Sequence, residues 1–295
     1  MIKISDKLNV IKNAKDAIKI AIENKGIEVG NDIDTYATEI ENIEIGAKMV
    51  TNITGANADT SGRITITKLI TELPELTFSS DVTNLQNLFS GYSNLKEIPK
   101  LNILGTITNM SSMFNGCSLI TEVPNLDTSN CTNLYNIFSG CTSLTEVPNL
   151  NTSSCTNFNS MFYNCSSLTE IPDLIVTKST GINNMCGKCS SLVKAPNMDT
   201  ITIQYMQTTF DGCANLTTIP TYNLTALKSA QYCFRDCPNL SDASLNNILL
   251  MFSYTTSYGS TKTLQQLGLT EAQANRCKSL SNWTRFTNAG WSTGY

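Results

Sequence analysis

The chain has 295 residues, of which 41% are hydrophobic and 15% charged, with a net charge of −4 and no histidine. That apolar share over such a length supports a buried core and argues against global disorder, and the acidic balance argues against nucleic-acid binding through a broad basic surface. Without histidine, Ser-His-Asp and Cys-His catalysis and histidine-ligated metals are excluded.

The opening stretch, MIKISDKLNVIKNAKDAIK, has charges spread through it and lacks the apolar run of a secretory signal. No segment reaches the ~20 apolar residues that cross a bilayer, so no membrane insertion is expected. The expectation is a chain made in a cytoplasm and exposed outside the cell only by another route. Residues 1–45 read as a helical hairpin. Leu8, Ile11, Ile18 and Ile22 form the stripe of its first helix, ended by Gly26, and Ile33, Tyr36, Ile40 and Ile43 form that of the second. Such a hairpin serves either as a cap or as an attachment module with a coiled-coil seam. Residues 46–65, polar and small, read as a linker.

From 66 to 240 the chain repeats itself. Prolines fall at 74, 99, 124, 148, 172, 196 and 220, in steps of 25, 25 and then 24. Phe89, Phe114, Phe138, Phe162, Phe210 and Phe234 form a second column, with Cys186 standing in once. Tyr92, Cys117, Cys141, Cys165, Cys189, Cys213 and Cys237 form a third. Within one copy, Leu134, Ile137, Phe138 and Cys141 sit at i, i+3, i+4 and i+7. That spacing predicts a short helix entered through Ser129, Asn130 or Thr132 and ended near Gly140. Leu144 to Pro148 reads as a short strand that proline terminates. Units of this kind bury their apolar faces by stacking. The expected fold is an α/β leucine-rich-repeat solenoid, with a parallel sheet on one side and short helices on the other. Residues 241–295 read as a helical C-terminal cap: one helix starts at Ser241, a capping box at Thr270-Glu271-Ala272-Gln273 opens another, and Trp283, Phe286 and Trp291 close the end.

The segment TNMSSMFNGCSLITEVPNLDTSN, residues 108–130, resembles the bacterial-surface leucine-rich repeats of the BspA-like type, a likeness that covers about residues 66–240. The flanks KNAKDAIKIAIENKGIEVGNDIDTYATEIENI and GLTEAQANRCKSLSNWTRFTNAGWSTGY resemble segments bracketing such repeats in tail-fibre and other virion proteins of phages infecting gut Firmicutes.

The third column holds Tyr92 in its first copy and cysteine in the rest, which points to a packed side chain rather than a disulfide. A metal set of Cys186, Cys189, Cys233 and Cys237 would span two copies, too far for ~2.3 Å bonds, so no metal and no cofactor is expected. Two residues before each proline stand Glu72, Glu97, Glu122, Glu146 and Glu170, then Lys194 and Thr218. Like charges stacked on neighbouring copies repel, so the column calls for a reason. It is either a solvated edge that discourages aggregation or a stripe that binds a cationic or polyhydroxyl partner, with Glu97, Glu122, Glu146, Glu170 and Lys194 as candidate contacts. The column after proline holds Glu75, Lys100, Asn125, Asn149, Asp173, Asn197 and Thr221, of which the asparagines and the aspartate are suited to hydrogen-bonding a turn. The expectation is a non-enzymatic virion structural and recognition protein, a tail-fibre or receptor-binding subunit. It would attach to other virion proteins or to its own copies through the N-terminal helices and touch a host-surface glycan or protein. The alternative is a bacterial cell-surface adhesin.

Overall fold

The computed structural model describes residues 50–53, 75–259 and 261–295. The chain divides into two compact units, residues 1–51 and 52–295. Strand β1 (Val50–Ile53) spans their boundary and falls inside the segment expected to be a linker. The hairpin expected over residues 1–45, with Leu8, Ile11, Ile18 and Ile22, lies outside the described residues, as does Glu72.

Within the second unit, β2 (Glu75–Phe78) pairs in parallel with β3 (Leu101–Ile103), matching Leu76 with Leu101 and Phe78 with Ile103. Helices α1 (Asp242–Ser253), α2 (Glu271–Cys277) and α3 (Trp283–Asn288) all follow residue 241. The expected leucine-rich-repeat solenoid, with its continuous parallel sheet and its row of helices, is therefore not what forms. Among the described residues the repeat contains one short strand pair and no helix.

The backbone explains both corrections. Where a helix was expected in each copy, two residues take left-handed dihedrals. One series is Asn87, Ser112, Asn136, Ser160, Asn184, Thr208 and Tyr232, at φ between 52° and 59°. The other is Gly91, Gly116, Gly140, Asn164, Lys188, Gly212 and Asp236. Each such residue reverses the local hand, so no α-helix can run through the segment. The N–H groups instead alternate between two destinations. Those of Ile137, Ser139 and Cys141 bond back to the carbonyls of Leu134, Asn136 and Phe138, closing a run of tight turns. Those of Leu134, Asn136, Phe138 and Gly140 reach the next copy, at the carbonyls of Asn157, Asn159, Met161 and Tyr163, over 2.8–3.2 Å. Every amide in the segment is thereby paired without helix or strand. At the other segment, proline supplies no donor and its neighbours meet the next copy only at points such as Lys194 with Thr218.

The side chains that this ladder turns inward form one hydrophobic core. The phenylalanine column stacks face over face, with ring centroids 5.5 Å apart for Phe89 and Phe114, 5.8 Å for Phe114 and Phe138, and 5.7 Å for Phe138 and Phe162. The column resumes at Phe210 and Phe234, 6.0 Å apart, beyond Cys186. At the entrance to several copies an asparagine side chain folds the backbone: Oδ1 of Asn109 and Asn133 accepts from the N–H two residues on, at 2.9 and 3.0 Å.

The last copy is covered by the C-terminal segment. Gln266 and Leu267 offer their carbonyls to the amides of Tyr232 and Phe234, both at 2.8 Å, as a further copy would. Gly268 is required there because a Cβ would lie 2.5 Å from the Arg235 amide nitrogen. Helix α1 starts at Ser241, as expected, and buries Leu245, Ile248, Leu249 and Phe252. Thr270 and Gln273 form the reciprocal capping box of α2. Trp291 closes the end against Phe252, Tyr258 and Phe286.

The left-handed positions make the ladder sensitive to β-branching. Asn136→Val is expected to cost about 1–2 kcal/mol, whereas Asn136→Gly is expected to change stability by less than about 1 kcal/mol in either direction. Urea unfolding of the two variants distinguishes them, and equal midpoints would contradict this account of the turn.

Candidate functional site

Glu97, Glu122, Glu146, Glu170 and Lys194 all lie exposed. Each sits five residues after the column of Tyr92 and the cysteines, so the same turn in successive copies fixes its place. Just before them, Leu95, Leu144, Leu168 and Leu192 are buried while the charged residue two positions on, Glu97, Glu146, Glu170 or Lys194, is not. In the column after proline, Asn125, Asn149, Asp173 and Asn197 are exposed as well. Asp173 Oδ1 accepts from the Asn197 side chain at 2.9 Å and from its backbone N–H at 3.2 Å, tying two copies together.

A second group was not anticipated from the sequence. The position following the phenylalanine column carries Ser90, Asn115 and Ser139 in the early copies, but Tyr163, Asp211 and Arg235 in later ones. The left-handed position next to it, glycine in most copies, holds Lys188. Stacking brings these side chains together. Arg235 donates through Nε and Nη2 to the two carboxylate oxygens of Asp211, at 2.7 and 2.5 Å, a bidentate pair. The same guanidinium lies 5.1 Å from the centre of the Tyr232 ring, and Lys188 Nζ lies 5.5 Å from that of Tyr163. Asp211 is nearly buried, while half of the Arg235 side chain remains accessible. The hydrogen bond and charge of Asp211 raise the Arg235 pKa, and the Tyr163 hydroxyl does the same for Lys188. Only a comparison of the odd residues within a repeat column could have signalled this group.

Such surfaces offer contact: a line of carboxylates on one column, and an ordered set of aromatic faces and planar donors on another. The thiols offer a different chemistry and are held out of it. All eleven cysteines are free and buried. Cys117, Cys141, Cys165, Cys189, Cys213 and Cys237 each point Sγ at a main-chain carbonyl of the preceding copy, that of Phe89, Phe114, Phe138, Phe162, Cys186 and Phe210, at 3.0–3.1 Å. Burial pushes the thiols of Cys117, Cys189 and Cys237 up to about 12 and those of Cys155 and Cys277 up to about 11.

Residues 83–198 match a family model described as a Mycoplasma protein of unknown function, DUF285. No curated protein and no solved structure matches the chain.

The thiols generate a pH prediction with a definite sign. Their folded pKa values lie above the ordinary value of 9.0, so the native state holds protons that the unfolded chain releases. Stability is therefore fully present below about pH 9 and is lost as pH rises from there towards 12, at up to about 1.4 kcal/mol per pH unit for each thiol. Thermal melts at pH 7.5 and 10.5 are expected to show a marked, reversible fall in Tm. Native protein at pH 8 is expected to resist brief iodoacetamide treatment at all eleven cysteines, and rapid alkylation of any one would contradict its enclosure.

Proposed function

We propose that this chain is a non-enzymatic recognition protein whose repeated outer columns touch a host surface. The virion reading is a tail-fibre or receptor-binding subunit that joins other virion proteins, or copies of itself, through residues 1–45. The observation that supports recognition is the exposure of Glu97, Glu122, Glu146 and Glu170 in register on consecutive copies above a shared core. A rigid row of identical groups suits a partner that is itself repetitive, such as a surface polysaccharide rich in hydroxyls. Each contact is then weak, and copy number supplies the avidity.

A second reading, a bacterial cell-surface adhesin, is favoured by the match of residues 83–198 to a family described from Mycoplasma, together with the resemblance of residues 108–130 to BspA-like surface repeats. Both readings place the binding on the same columns and differ in what carries the protein.

Replacing Glu122, Glu146 and Glu170 together with glutamine is expected to lower retention of the purified protein on intact host cells about tenfold, with Tm changed by no more than about 2 °C, because exposed charges contribute little to stability. Unchanged retention would leave the column as a solvated edge. Immunogold labelling of particles and of bacterial cells separates the virion reading from the adhesin reading.

A further inference from the structure

The junction between β3 and the copy that follows it is built differently from the later junctions. The segment from leucine to the bridging asparagine runs over nine residues in Leu76–Asn84 and Leu101–Asn109, but over eight in Leu126–Asn133 and Leu150–Asn157. Four residues past proline, Thr128, Thr152 and Thr200 stitch neighbouring copies: Thr128 and Thr200 donate to the carbonyls of Asn151 and Asn223 at 2.9 and 2.8 Å, and Thr152 accepts from the Ile175 N–H at 2.8 Å. The equivalent residue in β3 is Ile103, which has no hydroxyl, as Val176 and Leu224 have none in later copies; what sets the β3 junction apart is that a nine-residue segment meets an eight-residue one. Here the two copies part, leaving an open groove of about 300 Å³ with Leu101, Asn102, Ile103 and Gly105 on one side and Asn125, Asp127 and Asn130 on the other.

One wall of this groove is a strand edge. The Leu76 N–H bonds to the Lys100 carbonyl and the Leu104 N–H to the Phe78 carbonyl, both at 2.9 Å, so these groups of the β3 segment face β2. Alternation along the strand turns the main-chain N–H and C=O of Leu101 and Ile103 the other way, and no backbone hydrogen bond joins them to residues 125–130. Gly105 fixes where the strand ends: a Cβ there would lie 2.2 Å from the Val82 carbonyl oxygen, so the chain turns hard against the preceding copy. The opposite wall is acidic. Asp127 accepts from the Ser129 N–H at 3.0 Å and from its hydroxyl at 2.6 Å, contacts that lower its pKa and keep it ionised. Among the described residues the ion pairs are those of Asp211 and Asp242, and no basic side chain meets Asp127.

We propose that this groove binds a short extended peptide bearing a basic residue, which adds as a strand along Leu101–Ile103 and sets its cationic side chain against Asp127. Unpaired strand edges recruit extended chains through main-chain hydrogen bonds, and side-chain contacts select among them. Three residues of such a peptide span about 10 Å, the length of β3. The charge of Asp127 decides for a peptide with lysine or arginine over an acidic one.

The test uses the full chain labelled for amide NMR and the end-blocked peptide Thr-Val-Lys-Val-Thr as probe. Titration is expected to shift the amide signals of Leu101, Ile103 and Gly105. N-methylation of the peptide's central amides is expected to weaken binding at least about tenfold, through loss of its main-chain hydrogen bonds. Asp127→Asn is expected to weaken the lysine peptide about fivefold and to leave a Thr-Val-Gln-Val-Thr control unaltered. No shift at millimolar peptide, or equal binding after N-methylation, would overturn the proposal. So would the same amides responding to cellotetraose alone, which would make the groove a sugar site, or to protein concentration alone, which would make its occupant a second copy.

Discussion

The division of amide hydrogens within each turn segment is the constraint on which the repeat depends. Half of the N–H groups close local turns and the other half are handed to the next copy. Neither set would suffice alone: without the outgoing set, each copy would bury unpaired carbonyls, and without the local set the segment would have no fixed shape. The arrangement holds only while two residues per copy keep left-handed dihedrals. Asparagine and glycine are common there because their conformational cost is small. The serine, threonine, lysine and tyrosine found at the same positions show that the ladder imposes the geometry on less suitable residues.

Everything inside follows from that spacing. Rings held 5.5–6.0 Å apart centre to centre stack with planes 5° to 12° apart, and the thiols next to them lie within reach of the carbonyl one copy back. The cysteine column therefore has a polar duty as well as an apolar one. It supplies a weak donor to a carbonyl that already accepts one backbone bond, in a place where water has no access. Tyr92 holds the same column in the first described copy and meets Phe89 edge-on.

The outside is governed by the same register but carries the variation. Identical residues give a uniform row, as with the glutamates. Exceptions to a column give local chemistry, as with Tyr163, Lys188, Asp211 and Arg235, or with the nine-residue segment of β3 where the later copies have eight. Function in a repeat of this kind is sought at both: in the row for broad, additive contact, and at the exceptions for selective contact. The match to the Mycoplasma family spans residues 83–198, which takes in the β3 groove and most of the glutamate row.

The sequence alone determined the repeat length, the residues of the core, the caps of α1 and α2, and the outward glutamate column, because periodicity reports which side chains leave the water. It misassigned the backbone. Leu134, Ile137, Phe138 and Cys141 keep helical spacing because tight turns bonded from i+3 to i also return side chains to one face every three or four residues, so the pattern cannot tell a helix from a chain of turns. Tertiary structure decided that matter, since left-handed dihedrals at Ser112 or Lys188 become affordable only when the neighbouring copy takes up the alternate amides. It also decided the pairing of Arg235 with Asp211 and the opening of β3, which depend on which residues lie over one another across copies, a relation that adjacency along the chain does not carry.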